Sequence, residues 1–155
     1  MSLKLRHRLL QRAYLAYSRV SRGMTLGVRA MLLRDDKVVL VQHTYLPGRY
    51  LPGGGVEAGE TAREALEREI REEVGAVLTG EPQLFGLYRN RRVRSDHIAL
   101  YVCRAWTQRK KPVLPNREIV TCELVALNDL PADTAPATLA RIGEVIEGAP
   151  RSPDW

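Results

Sequence analysis

The segment from Gly53 to Ala76, GGGVEAGETAREALEREIREEVGA, constrains this chain more than any other stretch. It reads as a run of three glycines feeding a short, densely charged helix. Thr61 has the chemistry of an N-cap, and Glu64, three residues on, completes a capping box. Gly75 supplies the stop, because a residue without Cβ enters the left-handed conformation that closes a helix at little steric cost. On an ideal helix each residue advances about 100°, so Glu69 and Glu73 stand about 40° apart, with Glu72 on the other side of Glu69. The spacing predicts one band of three carboxylates, beside an apolar stripe of Leu66, Ile70 and Val74 that packs onto a sheet. Such a band repels itself unless a positive charge lies over it. Its oxygen donors suit Mg²⁺ or Mn²⁺, hard cations that keep part of their water shell and bind phosphates. The plainer alternative is a solvated acidic face with Glu64–Arg68 and Glu67–Arg71 as i,i+4 pairs. Gly53, Gly54 and Gly55 weigh against it, because they let backbone approach a ligand closely at the mouth of the helix.

The flanking sequence places this segment in a mixed domain. Residues 25–33 and 37–42 read as strands joined by a turn at Asp35-Asp36, and further strands are expected over 76–79, 83–88, 97–106 and 119–127. Helices are expected over 3–22, 61–74 and 136–147, and an irregular tail over 148–155. Strands mixed with helices indicate an α/β (α+β) fold. At 155 residues the chain fits one core. The expected organisation is a basic N-terminal helix over 1–24, a domain over 25–147 and the tail.

The net charge of +6 is unevenly spread. Residues 1–34 hold Lys4, Arg6, Arg8, Arg12, Arg19, Arg22, Arg29 and Arg34 and no acid, whereas the remainder carries 16 bases against 18 acids. The basicity therefore belongs to the N-terminal segment and argues little for a nucleic-acid-binding core. Cys103 and Cys122 are too few for a disulfide framework or a Cys-rich zinc site. No run approaches the length of a membrane span, and Arg or Lys interrupts any signal-like core. A cytoplasmic protein is expected.

Gly54, five residues, Glu60, seven residues, then Arg68-Glu69-Ile70-Arg71-Glu72-Glu73-Val74-Gly75 resembles the Nudix box, G-x5-E-x7-R-E-U-x-E-E-x-G-U, where U is a bulky aliphatic. Every constrained position but the last matches. Ala76 stands there, a change that touches packing more than chemistry. The order of hairpin, Leu51-Pro52-Gly53-Gly54-Gly55 and box, with a later Asp129-Leu130-Pro131 turn, is also similar to that family. The resemblance covers about residues 25–147. It implies a mixed β-sheet sandwiched between α-helices, with the N-terminal amphipathic helix as an addition.

The resemblance further implies a pyrophosphohydrolase, in which water attacks phosphorus in a nucleoside diphosphate linked to another moiety, such as a nucleoside triphosphate or a nucleotide sugar. Glu69, Glu72, Glu73 and the Gly53 carbonyl would ligate Mg²⁺ or Mn²⁺, with Glu118, just ahead of a strand, as a ligand from outside the box. Arg68 would orient a box carboxylate, and Glu72 or Glu69 would accept the proton of water. Gly54, Glu60 and Gly75 would be structural. Arg49, Tyr50, Arg89 and Arg91 are candidates for substrate contact, since Arg matches phosphate with a rigid fork. Tyr45 and Phe85 are candidates for base stacking, and Asp96-His97 for a proton relay. The NADH-cleaving signature is missing, Arg92 stands where some ADP-ribose hydrolases carry proline, and Val93-Arg94 replace the dinucleoside-polyphosphate tyrosine. The expected partner is a small nucleotide, with nucleic acid less favoured and a homodimer open. Two alternatives remain at this point: an RNA 5′-end pyrophosphohydrolase recruited by the basic helix, and a non-catalytic nucleotide-binding module. Retention of all the box carboxylates argues against the second.

Overall fold

The computed structural model describes residues 12–15, 17, 23–93 and 95–155. Of the helix expected over 3–22, residues 12–15 and 17 fall among these and are helical and exposed; the rest of that expectation lies outside the described residues. Strands form where β-branched and aliphatic residues run. β1 (Thr25–Arg34) and β2 (Lys37–His43) make the expected hairpin, pairing Leu33 with Val38 and Arg34 with Lys37. Asp35 takes the turn at φ 53°, a conformation that aspartate tolerates. The other strands are β3 (Ala76–Leu78), β4 (Gln83–Arg89), β5 (Asp96–Cys103), β6 (Trp106–Gln108) and β7 (Ile119–Ala126).

Five of them form one mixed sheet in the order β4-β5-β1-β2-β7, with β1 parallel to β5 and the other pairs antiparallel. β3 and β6 make a separate antiparallel pair. The expected strand over 97–106 is thus two strands. The chain breaks after Cys103, the Ala105 carbonyl accepts the Thr79 amide, and Trp106 turns inward so that its indole N–H bonds the Leu33 carbonyl at 2.9 Å.

α1 (Ala62–Glu69) begins at Thr61 with the full capping box: Thr61 accepts the Glu64 amide and Glu64 accepts the Thr61 amide at 2.8 Å. The helix does not end at Glu69 but widens into a π-helical turn over Ile70–Val74, closed by Gly75 at φ 69°. α2 (Pro136–Ile142) follows the same plan, with a π turn over Gly143–Glu147 and a left-handed Gly148. The two helical segments sit on opposite faces of the large sheet. Strand alternation sends Val28, Ala30 and Leu32 toward Ala65, Leu66, Ile70 and Val74 on one face. It sends Met31, Leu33, Val38 and Leu40 toward Tyr88, Leu100 and Ile142 on the other. Burial of Leu66 and Ile70, each 0% exposed, contributes about 1.5–3 kcal/mol apiece.

Residues 148–155 carry no helix or strand, yet their end lies along β4. The Arg89 amide bonds the Pro153 carbonyl, and the Trp155 amide bonds the Arg89 carbonyl. The Trp155 ring meets Tyr88 edge-on, beside the buried Arg141–Glu144 ion pair at 2.6 Å. Among the described residues no helix is long and apolar enough to cross a membrane.

Candidate functional site

β1 and β2 pair only near their turn and then diverge, and the glycine loop fills the gap. Pro52 and Gly54 offer carbonyls to the Ala30 and Val28 amides at 2.8 Å, while Tyr50 exchanges backbone bonds with Val41 on the other strand. Gly53 is thereby wedged between two strands at φ 139°, where a Cβ would run into the Val28 carbonyl. Close backbone approach, rather than flexibility, requires glycine here. Its amide donates to Glu73 Oε2 at 2.8 Å, tying the loop to the helix. Gly54 is needed for a different reason. A side chain there would meet the Glu69 carboxyl carbon at 2.6 Å, so Glu69 lies directly against the loop backbone.

The three carboxylates differ in environment, which the ideal-helix band did not anticipate. Their side chains are 13% exposed for Glu69, 56% for Glu72 and 6% for Glu73. The π turn begins between Glu69 and Glu73 and changes their relative angle, sending Glu73 into the sheet gap and leaving Glu72 at the surface. Burial pushes the Glu73 carboxyl up to about 7, with Glu69 and Glu118 adding to the rise and the Gly53 amide and Arg29 opposing it. His43, also buried, places Nδ1 3.8 Å from Glu73 Oε1. Desolvation, and then Arg29, hold that imidazole below its ordinary value, so the contact is not an ion pair at neutral pH. Its Nδ1 has no hydrogen-bond partner among the described residues.

Arg68 organises the exposed side of the site. Nε and Nη2 take both oxygens of Glu60 at 2.9 and 3.0 Å, Nη1 takes Glu69 at 2.6 Å, and Nη2 also reaches the Gly55 carbonyl. Glu72 is more distant, at 3.7 Å from Nη1. These bonds lower Glu60 and raise Arg68 from their ordinary values. The Glu64–Arg68 and Glu67–Arg71 pairs of the plainer alternative do not form among the described residues. Glu64 is turned back into the capping box, and Glu67 bonds Arg63 at 2.9 Å.

The other candidates divide. Glu118 lies within electrostatic reach of Glu73, His43 and Tyr45. Tyr45 and Tyr50 flank the His43 ring at 5.2 and 5.9 Å, and the Tyr50 hydroxyl bonds the Pro47 carbonyl. Arg49 is held by Glu123 and by Asp133 at 3.0 Å. Arg89 and Arg91 both face Asp154 of the tail, Arg89 at 2.7 Å and Arg91 at 3.5 Å. Phe85 stacks under Arg151. Asp96 accepts from Thr25 and Asn90 rather than pairing with His97. Arg94 lies outside the described residues. Sequence reasoning missed two site residues. His43 ends a strand that reads as apolar, and Arg29 is a lone charge inside the run GVRAMLL, a signal that was available.

Among the described residues no three His, Cys, Asp or Glu side chains are drawn together around one point. The donor chemistry nonetheless fits a hard divalent cation: carboxylate oxygens, the Gly53 carbonyl, and a buried carboxyl whose charge is only partly compensated. Glu69, Glu72, Glu73 and the Gly53 carbonyl are the groups here that could hold such an ion.

The chain is 40% identical over 68 residues to the uncharacterized Nudix hydrolase YvcI of Bacillus subtilis, covering 44% of this chain and 42% of the relative. It is 64% identical over 47 residues to nucleoside triphosphatase NudI of Escherichia coli, covering 30% and 29%. The matches span less than half the length of these curated relatives. The crystal structure of a MutT NUDIX hydrolase from Burkholderia pseudomallei superposes with a TM-score of 0.69 at 25% identity, over 79% of this chain and 98% of that one. The NUDIX domain family model matches residues 23–144, most of the chain, and the chain belongs to that family.

Proposed function

We propose that this protein is a divalent-metal-dependent hydrolase that cleaves a pyrophosphate bond in a nucleoside diphosphate linked to another group, by attack of water on phosphorus. The observation that carries this reading is the connected set Gly53–Glu73 and Glu60–Arg68–Glu69, which fixes loop and helix carboxylates against one another. Glu69, Glu72, Glu73 and the Gly53 carbonyl are assigned to Mg²⁺ or Mn²⁺, with Glu118 as a further ligand from the loop before β7. The bound ion would offset charge on the phosphate oxygens and acidify a water.

The chain's own groups do the rest. Arg68 holds Glu69 in place and limits repulsion among the carboxylates. Glu72 is assigned as proton acceptor, because Arg68 engages Glu69 at 2.6 Å but Glu72 only at 3.7 Å. Tyr45 and Tyr50, beside His43, provide aromatic faces for a base. Arg49, Arg89 and Arg91 each face a carboxylate, so substrate contact by any of them would use the guanidinium donors that this partner leaves open. Nucleoside triphosphates head the candidate substrates, supported by the likeness to a nucleoside triphosphatase over the 47 matched residues.

The test is release of phosphate or pyrophosphate with Mg²⁺ and with Mn²⁺ across nucleoside triphosphates, nucleotide sugars, ADP-ribose, dinucleoside polyphosphates and 5′-triphosphate RNA. One preferred, metal-dependent nucleotide is expected. A catalogue of inert substrates, with nucleotide binding intact, would point to a non-catalytic module.

A further inference from the structure

Arg29 is the one guanidinium in β1 that faces the sheet gap, among neighbours that are nearly all buried and apolar: Val28, Ala30, Met31, Leu32 and Leu33 are at most 3% exposed. Its Nη1 donates to the Gly53 carbonyl and reaches the Val28 carbonyl at 3.3 Å. Its charge acts on Glu73 and on His43. Arg49, Arg68 and Arg141 are each locked by at least one carboxylate. Among the described residues no carboxylate lies within ion-pair distance of Arg29, which is held by carbonyl oxygens alone. A guanidinium bonded only to carbonyls is the cheaper one to move, since its release separates no ion pair.

The Gly53 carbonyl is therefore claimed twice: by Arg29 in the described structure, and by a divalent ion in the function proposed above. A fixed positive charge and a doubly charged cation at the same oxygen repel strongly in a partly desolvated gap. We propose that Arg29 competes with a divalent ion for one oxygen donor: it holds the Gly53 carbonyl and screens Glu73, and it gives up that carbonyl when a divalent ion binds. Arg29 is on this account a positioning residue. It ties the glycine loop to β1 through that carbonyl and sets metal affinity by competing for an oxygen donor. The inference rests on the metal reading of the site but makes a separate demand of it.

Mn²⁺ binding to the full chain, followed by the electron paramagnetic resonance of free Mn²⁺, tests it without any substrate. Arg29→Met is expected to bind Mn²⁺ about ten-fold more tightly than wild type, because both the competitor and its repulsion are gone. The same variant should melt below wild type in EDTA, and the gap should narrow at saturating Mg²⁺, since a ligand stabilises the form it binds better. Arg29→Lys, which keeps the charge, should stay within about two-fold of wild type. Arg29→Gln provides a second neutral variant should the Met protein fail to fold. Equal or weaker Mn²⁺ binding by the folded neutral variants overturns the competition while leaving the metal site standing. Absence of Mn²⁺ binding in every protein, wild type included, overturns both.

Discussion

Glu73 sits in the sheet gap with 4% of its surface exposed, and its carboxyl is pushed up to about 7 chiefly by that burial. A carboxyl that binds its proton more tightly folded than unfolded adds stability below its unfolded value near 4.5 and loses it as pH rises through 7. The metal-free protein should therefore weaken by up to about 3 kcal/mol between pH 4.5 and 7 from this group. Glu73→Gln should flatten that part of the profile in calorimetric melts taken in EDTA. A wild-type profile equally flat would show that the gap is wetter than the structure implies. Glu72 is the opposite case, exposed and loosely engaged. Glu72→Gln should melt like wild type yet lower kcat by about 10²–10⁴-fold, the usual cost of a missing general base. The box spacing singles out these carboxylates as candidates. Their inequality was not legible there, because it depends on a sheet gap built by residues far away in sequence. Arg29 stands out in sequence as a charge in an apolar run, but its partner does not: Gly53 lies 24 positions away, and only folding joins them.

At the scale of elements, α1 was readable almost to the residue, since a capping box and a glycine stop are local chemistry. Thr61→Ala should cost about 1 kcal/mol in urea unfolding, with the site geometry retained. The π turn was not readable, because an α-helical and a π-helical reading of IREEV share the same composition. It is set by tertiary demands: Ile70 and Val74 must both reach the sheet while Glu73 reaches Gly53. Gly54→Ala separates the loop's two tasks. A methyl there displaces Glu69 without disturbing the core, so turnover should fall much further than melting temperature. The strand over 97–106 was misjudged for a similar reason. The indole of Trp106 needed the Leu33 carbonyl, and nothing local announces that partner.

The whole molecule is a sheet with a working side and a locking side. On the α1 face, the diverging β1 and β2 admit the glycine loop and gather the carboxylates. On the α2 face, Arg141 lies over the Tyr88 ring at 4.3 Å, Glu144 accepts from Tyr88, and the tail closes beside them through Trp155. Arg141→Ala strands the buried Glu144 carboxylate and should cost about 3–5 kcal/mol, read as a loss of melting temperature. That lock also holds Asp154 against Arg89 and Arg91, so one carboxylate offsets part of the charge of an arginine run that looks like a phosphate clamp in sequence.

The central claim is that the helix carboxylates and the glycine-loop carbonyl act together on a metal-bound phosphate. It is tested most directly by following turnover of a hydrolysed nucleotide as Mg²⁺ is removed and restored, in wild type and in the Glu69→Gln, Glu72→Gln and Glu73→Gln proteins. The account predicts activity that vanishes in EDTA, returns with Mg²⁺ in wild type, and is largely lost in all three folded variants. Turnover that persists in EDTA, or that survives all three substitutions, would contradict it.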